Sequence, residues 1–141
     1  MKNAVILGTF DGLHPGHRAV IENAFPYRTV AVTFRLPPKF SLGSGGGLLM
    51  LPEDKCRALE ALGVSEIKML DFEQVRGLSP EEFLSCIESE YAPARICCGY
   101  NYRFGKNASG DTALLAEFCG KRGIEFRCID CVRENGQPIS S

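Results

Sequence analysis

The sequence contains no tryptophan, only two histidines and no excess of either charge. Sixteen lysines and arginines against seventeen aspartates and glutamates leave a net charge of -1, and neither sign forms a block. A chain with this charge distribution has no broad electrostatic field that would attract nucleic acid or an anionic membrane. We therefore expect no nucleic acid and no membrane among its partners, and we expect any anionic ligand to be bound by local donors.

Long apolar runs are also absent. The apolar stretch after Asn3 is far shorter than a signal-peptide core or a membrane span. The seven cysteines are odd in number and lie in apolar contexts such as residues 96–98. This pattern is typical of reduced, buried thiols in a cytoplasmic protein rather than of a disulfide framework. Cys128 and Cys131 form one C-x-x-C, but a structural zinc site needs four ligands and no histidine is near. We interpret the pair as strand cysteines that face a core.

A chain of 141 residues, 45% of them apolar, is long enough to bury one core, and we expect one domain over residues 1–141. Apolar runs rich in β-branched residues predict five strands, at residues 4–7, 29–34, 66–70, 95–98 and 125–129. Helical spacing of apolar residues predicts four helices between these strands. The apolar residues of the four helices are, in order, Val20, Ile21, Ala24 and Phe25; Ala58, Leu59 and Leu62; Phe83, Leu84 and Ile87; and Leu114, Leu115 and Phe118. The alternation predicts an α/β fold with a Rossmann-like, doubly wound, mostly parallel sheet of about five strands. Ligands of such sheets bind beyond the carboxyl ends of the strands.

Turn and capping residues support this division. Ser79, Pro80 and Glu82 have the spacing of an N-cap, a first-turn proline and a capping box, whereas Gly63 and Gly123 stand where helices should end. Residues 36–49 interrupt the alternation with two prolines and the run G-S-G-G-G. This run lacks the G-K-[ST] ending of a phosphate loop, so we interpret it as a mobile loop rather than a phosphate cradle.

Residues 8–17, G-T-F-D-G-L-H-P-G-H, follow the first predicted strand, open the first predicted helix and contain both histidines of the chain. Two histidines three residues apart at such a junction would present their ring N–H groups in nearly the same direction. The free backbone N–H groups and the positive end of the helix dipole would add an anion site, which the glycines let a polyphosphate approach. The alternative is a glycine-rich turn whose histidines only cap the helix.

The H-x-G-H signature resembles that of the nucleotidyltransferase superfamily, and the longer G-x-F-D-G-x-H-x-G-H is similar to its FAD synthetase branch, the FMN-adenylating module of bacterial bifunctional riboflavin kinase/FAD synthetases. Further segments resemble that family in the same order along nearly the whole chain. They are Thr33 and Phe34 with Pro38, Lys55, and residues 78–83, 99–105, 109–111 and 139–141. Taken alone, residues 99–105 are equally well explained as a turn with surface aromatic residues.

The resemblance implies the nucleotidyltransferase fold and the reaction of ATP with FMN to give FAD and pyrophosphate, with Mg²⁺ as the cofactor and no protein metal site. It implies a catalytic role for His14 and His17 as donors to the ATP phosphates, and flavin contacts for Phe34 and Pro38. It also implies ATP binding by Gly8, Thr9, Phe10, Asp11, Gly16, Asn101, Arg103, Ser140 and Ser141. A C-terminal riboflavin kinase domain is the expected partner within a longer protein.

Three departures from the family pattern leave two alternatives open. The chain has R-L-P-P at residues 35–38 where the family has an acidic residue and P-H-P, and it has Asn101 where many members have aspartate. It also ends at Ser141, whereas the family continues with a threonine and an arginine, so we expect a domain truncated at its C-terminus. One alternative is another superfamily member with a different phosphorylated acceptor. The other is a non-catalytic nucleotide- or flavin-binding module with an incomplete phosphate clamp.

Overall fold

A single parallel sheet of five strands forms the centre of the molecule. In this computed structural model the described residues are 2–8, 15–34, 52–71, 75, 77–99, 102–105, 109–129, 132–134 and 137–139. The strands are β1 (Asn3–Leu7), β2 (Arg28–Phe34), β3 (Glu66–Leu70), β4 (Arg95–Gly99) and β5 (Glu125–Ile129), in the spatial order β3-β2-β1-β4-β5. The predicted doubly wound α/β fold is confirmed, and each strand begins and ends within one residue of its predicted bounds.

Helices cover both faces of the sheet. One face carries α1 (Pro15–Glu22) and α2 (Pro52–Ala61), and the other carries α3 (Pro80–Tyr91) and α4 (Thr112–Arg122). The strands alternate accordingly: in β1, Ala4 and Ile6 pack with α1 and α2, whereas Val5 and Leu7 pack with α3 and α4. Because both faces of the central strands are buried, their sequences are continuously apolar, which is why the strands were predictable.

The predicted helix caps are present. The Ser79 hydroxyl accepts from Glu82 N at 3.1 Å, and the Glu82 carboxylate accepts from Ser79 N at 2.8 Å, so the capping box of α3 is complete. Gly123 ends α4 in the left-handed conformation at φ 70°, and Gly63 has φ 104° beyond α2. The end of α3 lacks such a glycine, since Ala92 itself adopts the left-handed conformation at φ 45°.

The prediction that Phe25 continues the first helix is wrong. Helix α1 ends at Glu22, and Phe25 is 41% exposed, the largest exposure of any bulky apolar side chain in the described part of the chain. The physical reason is Pro26, which disfavours the helical conformation at the residue before it. The Asn23 side chain also donates to Ala19 O at 2.8 Å, which satisfies a carbonyl at the end of the helix.

A polar network ties the α1–β2 turn to the amino edge of the sheet. The Arg95 side chain is almost completely buried and donates to Asn23 O at 2.8 Å, to Phe25 O at 3.2 Å and to the Glu125 carboxylate at 2.9 Å. Its guanidinium also lies 4.5 Å from the centre of the Tyr27 ring. These partners satisfy the buried charge, so this cluster stabilises the fold at the end of the sheet opposite the carboxyl ends.

A short antiparallel hairpin, β6 (Val132–Glu134) and β7 (Gln137–Ile139), follows the sheet. This hairpin is not predicted from the apolar pattern, because three-residue strands are too short to show a period. The sequence does carry a signal, since residues 135 and 136 are Asn-Gly, the dipeptide favoured in two-residue hairpin loops.

The thiols are only partly buried. Cys97, Cys98 and Cys119 are buried and none of the six cysteines in the described ranges is disulfide-bonded, but Cys86 and Cys128 are exposed. The interpretation of Cys128 as a core residue is wrong because β5 is an edge strand that pairs only with β4. Cys131 and residues 36–49, including the glycine run, lie outside the described residues. Within the described residues, no helix is long and apolar enough to span a membrane.

Candidate functional site at the carboxyl edge of the sheet

The central strand β1 creates a switch point in the sheet. Leu7 pairs with Val32 of β2 on one side and with Cys98 of β4 on the other, so the carboxyl ends of the three strands lie level at one edge. The chain leaves β1 toward β2 and returns later to form β4 on the opposite side. Ligands of doubly wound sheets bind in the crevice that this reversal opens. Gly8 follows β1, the first turn of α1 comes next among the described residues, and residues 102–105 follow β4, so the described parts of both segments lie at this edge.

On the β1 side, Gly8 is the first residue beyond the strand, and its N–H points to Val32 O at 3.5 Å. Helix α1 then begins at Pro15, a residue suited to the first helical turn, and its backbone includes Gly16 and His17 in that turn. A helix that connects two parallel strands runs antiparallel to them, so its N-terminal end lies at the carboxyl edge. The free N–H groups and the positive dipole end of α1 therefore lie beside the crevice.

Several predicted site residues lie in parts of the chain outside the described ranges. Thr9, Phe10, Asp11, His14 and the side chain of His17 lie outside the described residues. Four more predicted site residues also lie outside the described ranges, namely Pro38, Asn101, Ser140 and Ser141. Their roles stay predictions, as does the convergence of the two imidazoles.

On the β4 side, the chain turns back on itself immediately after the strand. Tyr102 N donates to Gly99 O at 3.2 Å, and Phe104 and Gly110 exchange two backbone hydrogen bonds of 3.2 and 2.8 Å. Phe104 is buried, with its ring centre 5.8 Å from that of Tyr102 and 5.8 Å from that of Phe83. Arg103, between the two aromatic residues, is exposed. The interpretation of Phe104 as a surface aromatic is therefore wrong, whereas Arg103 is accessible to a ligand.

Two glycines hold this loop against α3. Gly105 has φ 78°, and a Cβ atom at this position would lie 2.8 Å from the backbone nitrogen of Pro80. A Cβ atom at Gly110 would lie 2.7 Å from the ring of Phe104. We call Gly105, Gly110, Pro80 and Phe104 the glycine clamp. Its contacts bring the start of α3 together with residues 102–105 and 109–111 at this edge of the sheet.

The clamp continues into the start of α4. The Asp111 carboxylate accepts from Leu114 N at 3.0 Å and caps the helix, so this residue has a structural role. Burial, together with the nearby Cys98, raises the pKa of Tyr102 far above its usual value, so its phenol stays protonated at neutral pH. The β4 side of the edge thus combines the Tyr102 ring, which stacks on Phe104 and packs against the core, with the exposed cation of Arg103.

On the β2 side, the strand ends at Phe34, which is half-buried at the same edge. The Phe34 carbonyl accepts a hydrogen bond of 2.9 Å from the Lys55 ammonium of α2, and Lys55 is completely buried. Lys55 is not among the site residues predicted from the sequence. A signal was available, because Lys55 stands four and seven residues before Leu59 and Leu62 and therefore shares the buried face of α2.

Comparisons with known proteins agree with this architecture. The bifunctional riboflavin kinase/FMN adenylyltransferase of Listeria monocytogenes is 28% identical over 151 residues, which cover 100% of this chain and 48% of that protein. The chloroplastic FAD synthetase 1 of Arabidopsis thaliana is 29% identical over 140 residues, which cover 94% of this chain and 40% of that protein. The chain thus spans about half or less of the length of these two relatives.

A crystal structure described as a macrolide-efflux protein from Streptococcus pneumoniae superposes with a TM-score of 0.81 at 27% identity, covering 99% of this chain and 48% of that one. The family model described as FAD synthetase matches residues 1–141. This match extends over both sides of the crevice, the glycine clamp and the segment that contains the two histidines. The chain therefore belongs to the FAD synthetase family.

Proposed function

We propose that this chain transfers the adenylyl group of ATP to FMN, giving FAD and pyrophosphate. In this reaction a phosphate oxygen of FMN forms a bond to the α-phosphorus of ATP, while the bond from that phosphorus to the oxygen bridging to the β-phosphorus breaks. The observation that carries the proposal is the convergence of β1, β4 and the first turn of α1 at one crevice, in a chain of the FAD synthetase family. The names of the relatives support the same substrates.

The reaction depends more on positioning the two substrates and stabilising negative charge than on proton transfer. The second pKa of a phosphate monoester is about 6, so FMN arrives largely ionised and needs no general base at neutral pH. The protein must instead hold two anions in line and stabilise the charge that grows on the leaving pyrophosphate. The N-terminal end of α1, with Gly16, is suited to this task, and His14 and His17 would add N–H donors.

The remaining site residues divide between the two substrates. We assign Gly8 and Arg103 to ATP binding because both lie beside the crevice. On the family resemblance, we also assign to ATP the residues Thr9, Phe10, Asp11, Asn101, Ser140 and Ser141. For the flavin, we assign Phe34 and Pro38, since Phe34 ends the strand next to β1 at the same edge. The glycine clamp supports the role of Arg103, because it fixes the loop from which that side chain projects.

Mg²⁺ is the expected companion of ATP. Among the described residues, no group of three histidine, cysteine, aspartate or glutamate side chains is arranged to hold a metal ion. Mg²⁺ keeps several water ligands and binds readily to substrate phosphates, so ATP itself would carry it to the crevice and it would neutralise phosphate charge there. We further propose that residues 1–141 form one nucleotidyltransferase domain, that a riboflavin kinase domain accompanies it in a longer protein, and that it works in the reducing cytoplasm.

The direct test is to incubate the chain with ATP, Mg²⁺ and FMN and to measure FAD by chromatography and pyrophosphate by a coupled assay. We expect both products in equal amounts with FMN, and none when phosphopantetheine or glycerol phosphate replaces it. Pyrophosphate release with one of those acceptors but not with FMN would indicate another nucleotidyltransferase with a different phosphorylated acceptor. ATP binding without turnover on any acceptor would point to a binding module.

A matched pair of arginine variants tests the β4 side of the crevice. Arg103→Ala should weaken ATP binding or slow FAD formation, because it removes the exposed guanidinium from the clamped loop. Arg57→Ala, which removes an exposed arginine that pairs with Asp54 within α2, should change neither property. Full ATP affinity and a full rate in Arg103→Ala would remove this residue from the site.

A further inference from the structure

Two cysteines lie side by side on neighbouring strands near the carboxyl edge of the sheet. Cys98 of β4 is paired in register with Cys128 of β5. Cys98 and Phe126 both pack in the cluster under α3 and α4, and Cys128 shares this face because it is two residues beyond Phe126. Neighbouring strands lie about 4.8 Å apart, and a disulfide joins Cα atoms about 4.4–6.8 Å apart. The backbone therefore allows the two sulfur atoms to be joined.

The two thiols differ in their access to solvent. Cys98 is completely buried, whereas Cys128 is exposed on the edge strand. Burial, together with the hydrogen-bonding Cys128 thiol beside it, raises the pKa of Cys98 far above its usual value. An exposed thiol adds little packing, so its reactivity is what distinguishes it from a serine or an alanine. Of the pair, Cys128 is the thiol that a reagent in solution reaches first, and Cys98 is in contact with it.

The buried thiol also lies next to the loop on the β4 side of the crevice. Cys98 is followed by Gly99, whose carbonyl accepts from Tyr102 N at 3.2 Å. The Tyr102 ring stacks on Phe104, and its phenol lies close to Cys98. Arg103 projects to solvent between these two aromatic residues. A displacement of Cys98 is therefore transmitted to the loop that carries Arg103.

We propose that Cys98 and Cys128 form a reversible disulfide, with a low-molecular-weight disulfide such as oxidised glutathione as the oxidant. The Cys128 thiolate attacks one sulfur of oxidised glutathione, which gives a mixed disulfide and releases one glutathione. The Cys98 sulfur then attacks the Cys128 sulfur, and the Cys98 proton goes to the second departing glutathione. The two protein thiols together lose two electrons, which reduce the glutathione disulfide. Because the two thiols are held in contact, the second step is intramolecular and is favoured by proximity.

Closure of the disulfide has a consequence for the crevice, and this consequence rests on the proposed function. The two sulfur atoms move from hydrogen-bonding contact to a bond of about 2.05 Å. The end of β4 shifts with Cys98, and the loop that carries Arg103 shifts with it. The oxidised chain should therefore bind ATP less tightly, by about fivefold or more if the coupling is of ordinary size.

The test treats the reduced chain with oxidised glutathione, blocks the remaining thiols with N-ethylmaleimide and digests the protein with trypsin without a reductant. Trypsin cleaves after lysine and arginine, so Cys98 falls in the peptide of residues 96–103 and Cys128 in the peptide of residues 128–133. We expect mass spectrometry to show these two peptides joined by a disulfide.

Two alanine variants of adjacent, equally buried cysteines form the matched comparison. Cys98→Ala should abolish the link and leave glutathione on Cys128. Cys97→Ala should keep the link, because Cys97 packs on the opposite face of β4. If Cys98→Ala does not fold, Cys128→Ser removes the exposed thiol instead and should abolish the link equally.

Several outcomes would overturn the assignment. A disulfide within residues 128–133 would make Cys131 the partner, and a stable mixed disulfide on Cys128 in the wild type would show that Cys98 does not react. Calorimetry then compares ATP binding before and after oxidation: the dissociation constant should rise in the wild type, recover with dithiothreitol and stay unchanged in Cys128→Ser. Equal ATP affinity of the oxidised and reduced wild type would overturn the link to the crevice. Failure of the proposed function appears separately, as reduced wild-type chain that binds ATP but forms no FAD.

Discussion

Substitution of Gly105 in the glycine clamp should destabilise the protein, because this glycine lies in close contact with Pro80. In Gly105→Ala, the added methyl group meets two obstacles at once. The residue has φ 78°, a conformation that costs an L-residue about 1 kcal/mol relative to glycine. Its Cβ atom would also lie 2.8 Å from Pro80 N and 2.9 Å from Pro80 Cα, which are backbone atoms that cannot rotate away. Overpacking of this kind costs about 1–3 kcal/mol.

The two contributions sum to about 2–4 kcal/mol, a large share of a typical domain stability of about 5–15 kcal/mol. Alanine substitutions at three other glycines measure the cost of the positive φ and the cost of the close contact separately. Gly123 has φ 70° but open space around its Cβ position, so Gly123→Ala should cost only about 1 kcal/mol. Gly110 has the contact with Phe104 without the positive φ, so Gly110→Ala should cost about 1–3 kcal/mol. Gly120→Ala, in open space within α4, should stabilise by about 0.5–1 kcal/mol.

The assay is urea unfolding of the four variants followed by circular dichroism, since the chain has no tryptophan to report by fluorescence. We expect Gly105→Ala to be the least stable and Gly120→Ala to be more stable than the wild type. The clamp account also predicts weaker ATP binding in folded Gly105→Ala, because the loop that carries Arg103 shifts. A Gly105→Ala variant no less stable than Gly123→Ala would refute the close contact with Pro80.

Three further predictions concern acid stability, thiol reactivity and catalysis. A hydrogen bond of 2.7 Å from Arg28 lowers the pKa of Glu66 in the folded protein below its usual value of 4.5. The ionised Glu66 therefore stabilises the fold at neutral pH, and this stabilisation is lost as the pH falls from 4.5 through the lower pKa of the folded state. Glu66→Gln should therefore lose less stability than the wild type over that range in acid unfolding titrations. Burial raises the pKa of Cys119 to about 11, so iodoacetamide should label the exposed Cys86 in the native protein and reach Cys119 only after unfolding, as read by peptide mass spectrometry. His17→Ala should lower the turnover number about 10²-fold at saturating substrates, and unchanged turnover would remove the imidazole from the mechanism.

The sequence predicts the fold well because its signals are local. The central strands β1, β2 and β4 are short apolar runs buried on both faces, and the edge strands β3 and β5 are partly buried runs of the same length. The capping box of Ser79 and Glu82 closes within a single helical turn. By contrast, Phe25 continues the helical period but precedes a proline, and the local rule for proline prevails over the period. The spatial order of the strands depends on pairings between distant segments, which no local pattern contains.

The sequence predicts where the candidate site lies better than it predicts the contacts that build the site. The rule that ligands bind beyond parallel strands places residues 8–17 and 99–105 at one edge, and the structure brings Gly8, the first turn of α1 and the Arg103 loop together there. The contacts between Gly105 and Pro80 and between Lys55 and Phe34 join residues more than twenty positions apart. They depend on tertiary packing, and a glycine or a lysine in the sequence does not reveal such a partner.

The proposed adenylyl transfer is tested most directly by following the phosphorus atoms of ATP. The chain is incubated with Mg²⁺, FMN and ATP radiolabelled at either the α- or the γ-phosphorus, and the flavin product and pyrophosphate are separated and counted. We predict that the α-label enters the flavin product, in an amount equal to the pyrophosphate released, and that the γ-label stays entirely in pyrophosphate. Label from the γ-position in the flavin, or no α-label in it, would contradict adenylyl transfer by this chain.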